Sequence, residues 1–262
     1  MYPVLTVLHW GGITRAIGSY GVLLALALLV GCAITLRAGQ RAGLEGGALI
    51  STLAGAVGSG FAGAYLAQFA LVFAQTASLE ASLQQPGIMF YGGAVGGALG
   101  LAGFARVFGL PVARTLDLAL PGLPIAHAIG RLGCWFGGCC YGAVSNLPWS
   151  VVYQHPLAPG AHPALPRHPW PLYEATGLLV LAAVFARFGT AAAPGRRAAA
   201  YVLSYAGLRF ALEPWRGDAA RGVFLHGSIA QGIALASAAL AFGWLVRERR
   251  RSQALCGHAL PV

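Results

Sequence analysis

The chain has 262 residues, of which 57% are hydrophobic and only 9% charged. Soluble domains carry about 25% charged residues, so a water-facing surface of ordinary size is excluded and a bilayer is the better solvent. The net charge of +10 rests on arginine alone, because the sequence has no lysine; its scatter between apolar runs argues against nucleic acid and for anionic lipid as the acidic partner.

Apolar segments of roughly 18–25 residues read as membrane helices. Such runs predict about seven spans, at 17–36, 48–75, 88–110, 115–136, 172–190, 198–216 and 225–246. The expected fold class is therefore all-α: a polytopic membrane helix bundle, one integral membrane domain over residues 1–262. The amino terminus lacks the basic start and small-residue cleavage site of a signal peptide, so the first span is expected to stay as an anchor. The second span is long enough to tilt. Pro121 and Pro124 are expected to kink or break the fourth.

Arginine placement orients the spans. Arg37 and Arg41, Arg106 and Arg114, Arg187 with Arg196 and Arg197, and Arg247 with Arg249 to Arg251 follow spans one, three, five and seven. With the amino terminus outside, all of these fall on the cytoplasmic side, together with the carboxyl terminus. The loop at about 137–171 then lies outside. It is rich in proline, histidine and aromatics, among them Trp149, Tyr153 and Trp170. Two readings stay open: an interfacial loop with aromatics at headgroup level, or a small cap over an active site. His155, His162 and His168 are expected to be solvated.

The segment FYGGAVGGALG, residues 90–100, repeats glycine every fourth residue, at Gly92, Gly96 and Gly100 and again at Gly93 and Gly97. Both series form stripes on a helix. One reading is close helix packing; the other is a groove for an acyl chain, with Tyr91 aiming its hydroxyl into it.

A charge at membrane depth costs at least about 2.5–3.5 kcal/mol and marks function. Arg131 follows the apolar run of span four. In span six, Tyr205, Arg209 and Glu213 form one stripe at four-residue spacing, which lets Arg209 and Glu213 pair. Glu174 begins span five. His127, one turn before Arg131, is a candidate base or proton carrier. Two separated buried guanidinium groups suit a shared phosphate, which each holds bidentately without losing charge. On these residues the chain reads as a polytopic protein that binds the phosphate of a phospholipid headgroup.

GRLGCWFGGCCYG, residues 130–142, carries Cys134, Cys139 and Cys140. Their C-x4-C-C spacing lacks the regularity of a zinc site, so no metal is expected. A disulfide, a thiolate nucleophile activated by Arg131 and plain packing of small side chains all stay open.

In their order, these phrases resemble the prolipoprotein diacylglyceryl transferase family over most of the chain. IGSYGVLLALALL resembles its first span, with Tyr20 and Gly21 on a functional Tyr-Gly pair. FYGGAVGG resembles its His-Gly-Gly segment. GRLGCWFGGCCYG resembles its Gly-Arg-x-Gly-Asn signature. RHPWPLYE, residues 167–174, resembles its Arg-His-Pro-Ser-Gln-Leu-Tyr-Glu phrase, and YAGLRFALEPWRGD carries Tyr205, Arg209, Glu213 and Arg216 of its Tyr-Arg-Glu-Arg stretch. The chain departs from the pattern at several points. Tyr91 stands for the family histidine, Cys134 and Gly137 for its two asparagines, and Cys139 for its glutamate; Trp170 and Pro171 replace Ser-Gln.

The resemblance implies transfer of a diacylglyceryl group from phosphatidylglycerol, or another anionic phospholipid, to a thiol on a membrane-tethered acceptor such as a prolipoprotein signal peptide. It implies a bacterial inner membrane location and no metal or organic cofactor. Catalytic residues would be Arg131 and Arg209 on the phosphate, Glu213 orienting Arg209, and Tyr20, Tyr91 and Tyr205 in hydrogen bonding or proton relay. Gly92, Gly93, Gly142, His127, Arg216, Cys134 and Cys139 would line the substrates. The departures define a divergent member. They leave two other readings: a lipid-binding or lipid-transport protein on the same fold, and a cysteine-based membrane oxidoreductase.

Overall fold

The computed structural model describes residues 3–10, 13–84, 87, 89–153, 165–187, 193–217, 223–224 and 227–257. They form two compact units, Cys32–Ala119 and Met1–Gly31 with Leu120–Val262. Most of the described chain is helical.

In the unit Cys32–Ala119, the latter part of helix α1 (Ser19–Arg41) leads through a turn at Gly43 (φ 80°) to α2 (Gly46–Thr76). Glu45 caps α2: its carboxylate accepts from the Gly47 amide at 2.7 Å and from the Ala48 amide, satisfying donors that the first helical turn otherwise leaves orphaned. The short α3 (Leu79–Gln84) follows, then α4 (Phe90–Val107) and α5 (Val112–Ala119). The α2–α4 pair is the backbone of this unit. It is a backbone-to-backbone contact: a Cβ on Gly96 would lie 3.1 Å from the Gly63 Cα and closer still to the Ser59 carbonyl, and one on Gly92 would strike the Gly63 carbonyl. The glycine ribbon thus packs α4 onto α2, as membrane helices do with small residues. Beside that seam runs an open apolar furrow lined by Leu66, Leu99, Phe104 and Val107.

The other unit opens with a hairpin of β1 (Val4–Trp10) and β2 (Ile13–Gly18), paired antiparallel and running into α1. After Leu120 the chain turns at Pro121 and Gly122 into α6 (Leu123–Gly137), whose second position is Pro124 and whose end is set by Gly138 at φ 68°. Two short strands, β3 (Val151–Val152) and β4 (Pro166–Arg167), pair before α7 (Trp170–Arg187). Helix α8 (Arg196–Leu212) passes into a 3-10 turn at Glu213–Trp215, where Pro214 blocks further α-helix. Strands β5 (Val223–Phe224) and β6 (Gly227–Ser228) precede α9 (Ile229–Gly257). Ser228 and Gln231 cap α9 reciprocally: the Gln231 amide donates to Ser228 Oγ at 3.1 Å and the Ser228 amide to Gln231 Oε1 at 3.2 Å. Helix α6 packs on α7, and α8 on α7 and α9.

Large apolar side chains face outward, as Leu29 (70% exposed), Val107 (74%) and Leu240 (77%) do, while alanines such as Ala64, Ala105 and Ala234 fill the interior. That inversion suits a lipid solvent. Among the described residues, three helical segments are long and apolar enough to cross a membrane by themselves: Ser19–Arg41, Gly46–Thr76 and Ala230–Arg249.

Several expectations need amending. The region read as span four is two helices, α5 and α6, broken at the Leu120–Pro121–Gly122 turn, where Pro121 was expected to kink or break it. The all-α description must also admit, among the described residues, three small two-stranded antiparallel sheets. Of the loop aromatics that one of the two open readings put at headgroup level, Trp170 and Tyr153 are fully buried and Trp149 is 57% exposed. His168 is buried rather than solvated, with Nδ1 at 3.1 Å from the Tyr173 hydroxyl. His155 and His162 lie outside the described residues.

Candidate functional site

The site is built on α6, α7 and the end of α8. Each contributes a charged side chain in an apolar helix, and burial forces those charges into partnership. Arg131, on α6, meets Glu174, on α7: Nη2 donates to Oε1 at 3.1 Å and Nε lies 2.8 Å from Oε2. Glu174 is fully buried and Arg131 is 7% exposed. Tyr205, on α8, donates its hydroxyl to Glu174 Oε1 at 2.8 Å, and His127 Nε2 stands 3.6 Å from the same oxygen. The His127 and Tyr205 rings lie 5.3 Å apart, centroid to centroid. One carboxylate thus ties three helices together.

Arg209 closes the other side. Its Nη1 pairs with Glu213, four residues on, at the point where α8 tightens into the 3-10 turn. Arg209 is 2% exposed. Its Nη2 has no hydrogen-bond partner among the described residues, so the guanidinium keeps donor capacity inside the protein.

Trp170 joins the two halves. Its ring is fully buried at the start of α7, fixed by a 2.9 Å hydrogen bond from Nε1 to the Leu212 carbonyl. Three guanidinium carbons lie over it: Arg216 at 4.7 Å, Arg209 at 4.9 Å and Arg131 at 5.4 Å from the ring centroid. An indole face attracts cations, by about 2 kcal/mol or more where water is excluded. It can therefore gather three like charges that would otherwise repel.

Gly142 belongs to the adjoining wall. Its amide donates to the His168 carbonyl at 3.1 Å, its carbonyl accepts from Arg167 Nη1 at 3.3 Å, and it bridges to Arg216. A Cβ there would lie 2.5 Å from the His168 Cβ and 2.8 Å from the Trp215 carbonyl, so only glycine fits. Arg167 stacks on Tyr141, its guanidinium carbon 4.6 Å from that ring.

The structure therefore gathers Arg131, Arg209, Arg216, Glu213, Tyr205 and His127 around Trp170 and Glu174. Tyr20 is also in this unit: its ring packs on Gly133, where a Cβ would meet Cδ2 at 3.3 Å. Cys134 and Cys139 face one another and Cys140. Tyr91, Gly92 and Gly93 sit on α4 in the other unit, the two glycines against α2. Two residues central to the site had no role assigned from sequence. Glu174 was visible as a carboxylate at membrane depth, a sufficient signal had its partner been sought beyond its own helix. Trp170 was visible as one of the aromatics of the 137–171 loop and as a departure from Ser in RHPWPLYE.

The family model for prolipoprotein diacylglyceryl transferase matches residues 7–247. Among curated proteins, the chain is 32% identical over 171 residues to a phosphatidylglycerol–prolipoprotein diacylglyceryl transferase of Chlorobaculum tepidum, covering 64% of this chain and 57% of that one. It is 33% identical over 179 residues to the one from Gloeobacter violaceus, covering 66% of each, and 36% identical over 136 residues to that of Bordetella avium, covering 51% and 49%. The matched region thus spans about half to two thirds of these relatives' length.

Proposed function

The chain belongs to the prolipoprotein diacylglyceryl transferase family, and on that premise we propose that it moves a diacylglyceryl group from phosphatidylglycerol to the thiol of a lipobox cysteine on a prolipoprotein. The names of its relatives supply donor and acceptor class. The observation that carries the reading for this chain is the meeting of Arg131 and Arg209 over one buried indole, each also held by a carboxylate.

In this reading the acceptor sulfur attacks the glycerol carbon that bears the phosphate ester. The carbon–oxygen bond breaks, its electron pair leaves with glycerol phosphate, and a thioether forms. Arg131 and Arg209 hold the phosphate and offset the charge that grows on it, the kind of contribution worth about 2.7–4 kcal/mol per donor. Glu213 orients Arg209, and Arg216 adds a third positive charge from across Trp170. The thiol proton departs along Tyr205, Glu174 and His127, which lie within 3.6 Å steps of one another; Tyr20 is a further hydroxyl of the same unit. Tyr91, Gly92 and Gly93 would contact an acyl chain, beside the apolar furrow of α2 and α4. No metal or organic cofactor enters the reaction.

The proposal includes a single integral membrane domain of about seven spans in a bacterial inner membrane, amino terminus outside, carboxyl terminus cytoplasmic and 137–171 as an outer cap. Its support is the arginine distribution. Incubating the purified chain with labelled phosphatidylglycerol and a lipobox peptide tests the reaction. Released glycerol phosphate with a lipidated peptide is expected. Lipid bound without turnover would mark a carrier, and full turnover in both Arg131→Ala and Arg209→Ala would remove the assigned centre.

A further inference from the structure

We propose that Cys134, Cys139 and Cys140 form a three-sulfur site for one soft d10 metal ion, with Cu(I) as its prototype. The C-x4-C-C spacing gave no hint of this; the turn that ends α6 creates it. Gly138, at φ 68°, stops the helix, and the Cys139 amide returns to the Cys134 carbonyl at 3.1 Å. Consecutive side chains of an extended strand point to opposite faces. Cys140 instead adopts φ 57°, a conformation L residues rarely take, and the bend brings its sulfur to the same point as that of Cys139. The three sulfur atoms all lie within 4.8 Å of one another. Metal–sulfur bonds of about 2.3 Å in a trigonal plane separate the sulfurs by about 4 Å, so closure needs side-chain adjustment of under about 1 Å.

The surroundings point the same way. Cys134 and Cys140 are each 6% exposed. Tyr153 is fully buried against Tyr141, the residue after Cys140, with ring centroids 6.1 Å apart, and its hydroxyl has no hydrogen-bond partner among the described residues. Buried hydroxyls are normally satisfied, and a metal-bound thiolate supplies the missing acceptor. Structural zinc sites close with four ligands, whereas no histidine or carboxylate joins this group among the described residues. The three sulfurs gathered among the described residues suit a soft monovalent ion. On binding, each coordinating thiol releases its proton to solvent, and the ion enters and stays as Cu(I). Cys134 follows Arg131 by three residues on α6, so a bound ion pins the helix end that presents Arg131.

The sulfurs include two residues that the resemblance places at the substrates, so the test reads ion binding rather than lipid turnover. The full chain, purified anaerobically with reductant in detergent, is titrated with Cu(I) against a chromophoric Cu(I) chelator. One Cu(I) per chain is expected, with three sulfur neighbours at about 2.3 Å in X-ray absorption. Cys139→Ser should weaken retention by more than 10-fold, Tyr153→Phe by about 10-fold as a partner to a ligand, and Cys32→Ser with Cys256→Ser not at all. On the unsubstituted chain, which avoids any folding defect of the variants, Cu(I) should slow alkylation of the three thiols together and leave Cys32 at its own rate. A disulfide in the anaerobically purified chain, two sulfur neighbours instead of three, zinc held as tightly as copper, or copper kept undiminished by Cys139→Ser each overturns the proposal.

Discussion

The α2–α4 seam and the α6–α7–α8 centre hold helices together by opposite means. At the seam, Gly63, Gly92 and Gly96 let two backbones meet directly, with small side chains such as Ala64, Ala67 and Ser59 alongside. At the centre, Arg131, Glu174, Tyr205 and Arg209 fill the space between helices with ionic and hydrogen-bonded groups around Trp170. Backbone contact is tolerant of solvent and pH but intolerant of volume. A buried ionic group tolerates shape changes at its edge but fails when one charge is left alone. Only the centre offers donors to a ligand, which is why function is assigned to it and packing to the seam.

The comparison can be broken most forcefully at Glu174. Glu174→Ala leaves the buried Arg131 guanidinium without its carboxylate, a loss of about 3–5 kcal/mol, read as a lower midpoint in thermal unfolding of the detergent-solubilised chain. Arg209→Ala should lower turnover by about 10²–10³-fold, on the scale of a lost charge-stabilising donor, while unfolding shifts less than in Glu174→Ala. Gly96→Val probes the seam by volume and should cost about 1–3 kcal/mol through overpacking, in the same unfolding measurement; a neutral result would mean that the helices separate freely. Tyr205→Phe removes one hydrogen bond to a charged group and should cost about 1.5 kcal/mol, with slower turnover as its second readout.

The smallest effect concerns pH at Glu45. Hydrogen bonds from the Ala48 amide, and then from the Gly47 amide, hold its carboxyl below the ordinary 4.5. A depressed carboxyl contributes its stabilisation above the unfolded value and loses it as pH falls through the folded one. The cap of α2 should therefore weaken below about pH 4.5, and Glu45→Gln should flatten that dependence of unfolding on pH.

Arg131, Arg209 and Glu213 were legible in the sequence because a charge in an apolar run stands out, and because four-residue spacing fixes a helical neighbour. The break at Pro121 was legible because proline interrupts a helix, whereas the end of α8 before Pro214 was passed over by a span expected to run to 216. The Arg131–Glu174 pair was not, since its members are 43 residues apart and no local pattern joins them. Trp170 was hidden for a different reason: an aromatic residue at the edge of an apolar span looks like an interfacial anchor, and only tertiary burial distinguishes a ring that gathers arginines. The β1–β2 hairpin escaped because Val4–Trp10 lacks the strict polar alternation of a half-buried strand. The thiol cluster escaped because its geometry depends on two left-handed residues, Gly138 and Cys140, whose conformation spacing does not encode.

The 43-residue separation of Arg131 from Glu174 has a consequence for biogenesis. At about 5–20 residues per second, a ribosome delivers Glu174 roughly 2–9 s after Arg131. On the proposed seven-span arrangement, the nascent helix must wait that long with an uncompensated cation, held by the insertion machinery or by lipid headgroups. In chains halted before Glu174, a crosslinker placed on α6 should join the helix to the insertion machinery, and in chains halted well beyond it should not; equal crosslinking of both would show that insertion is indifferent to the pair.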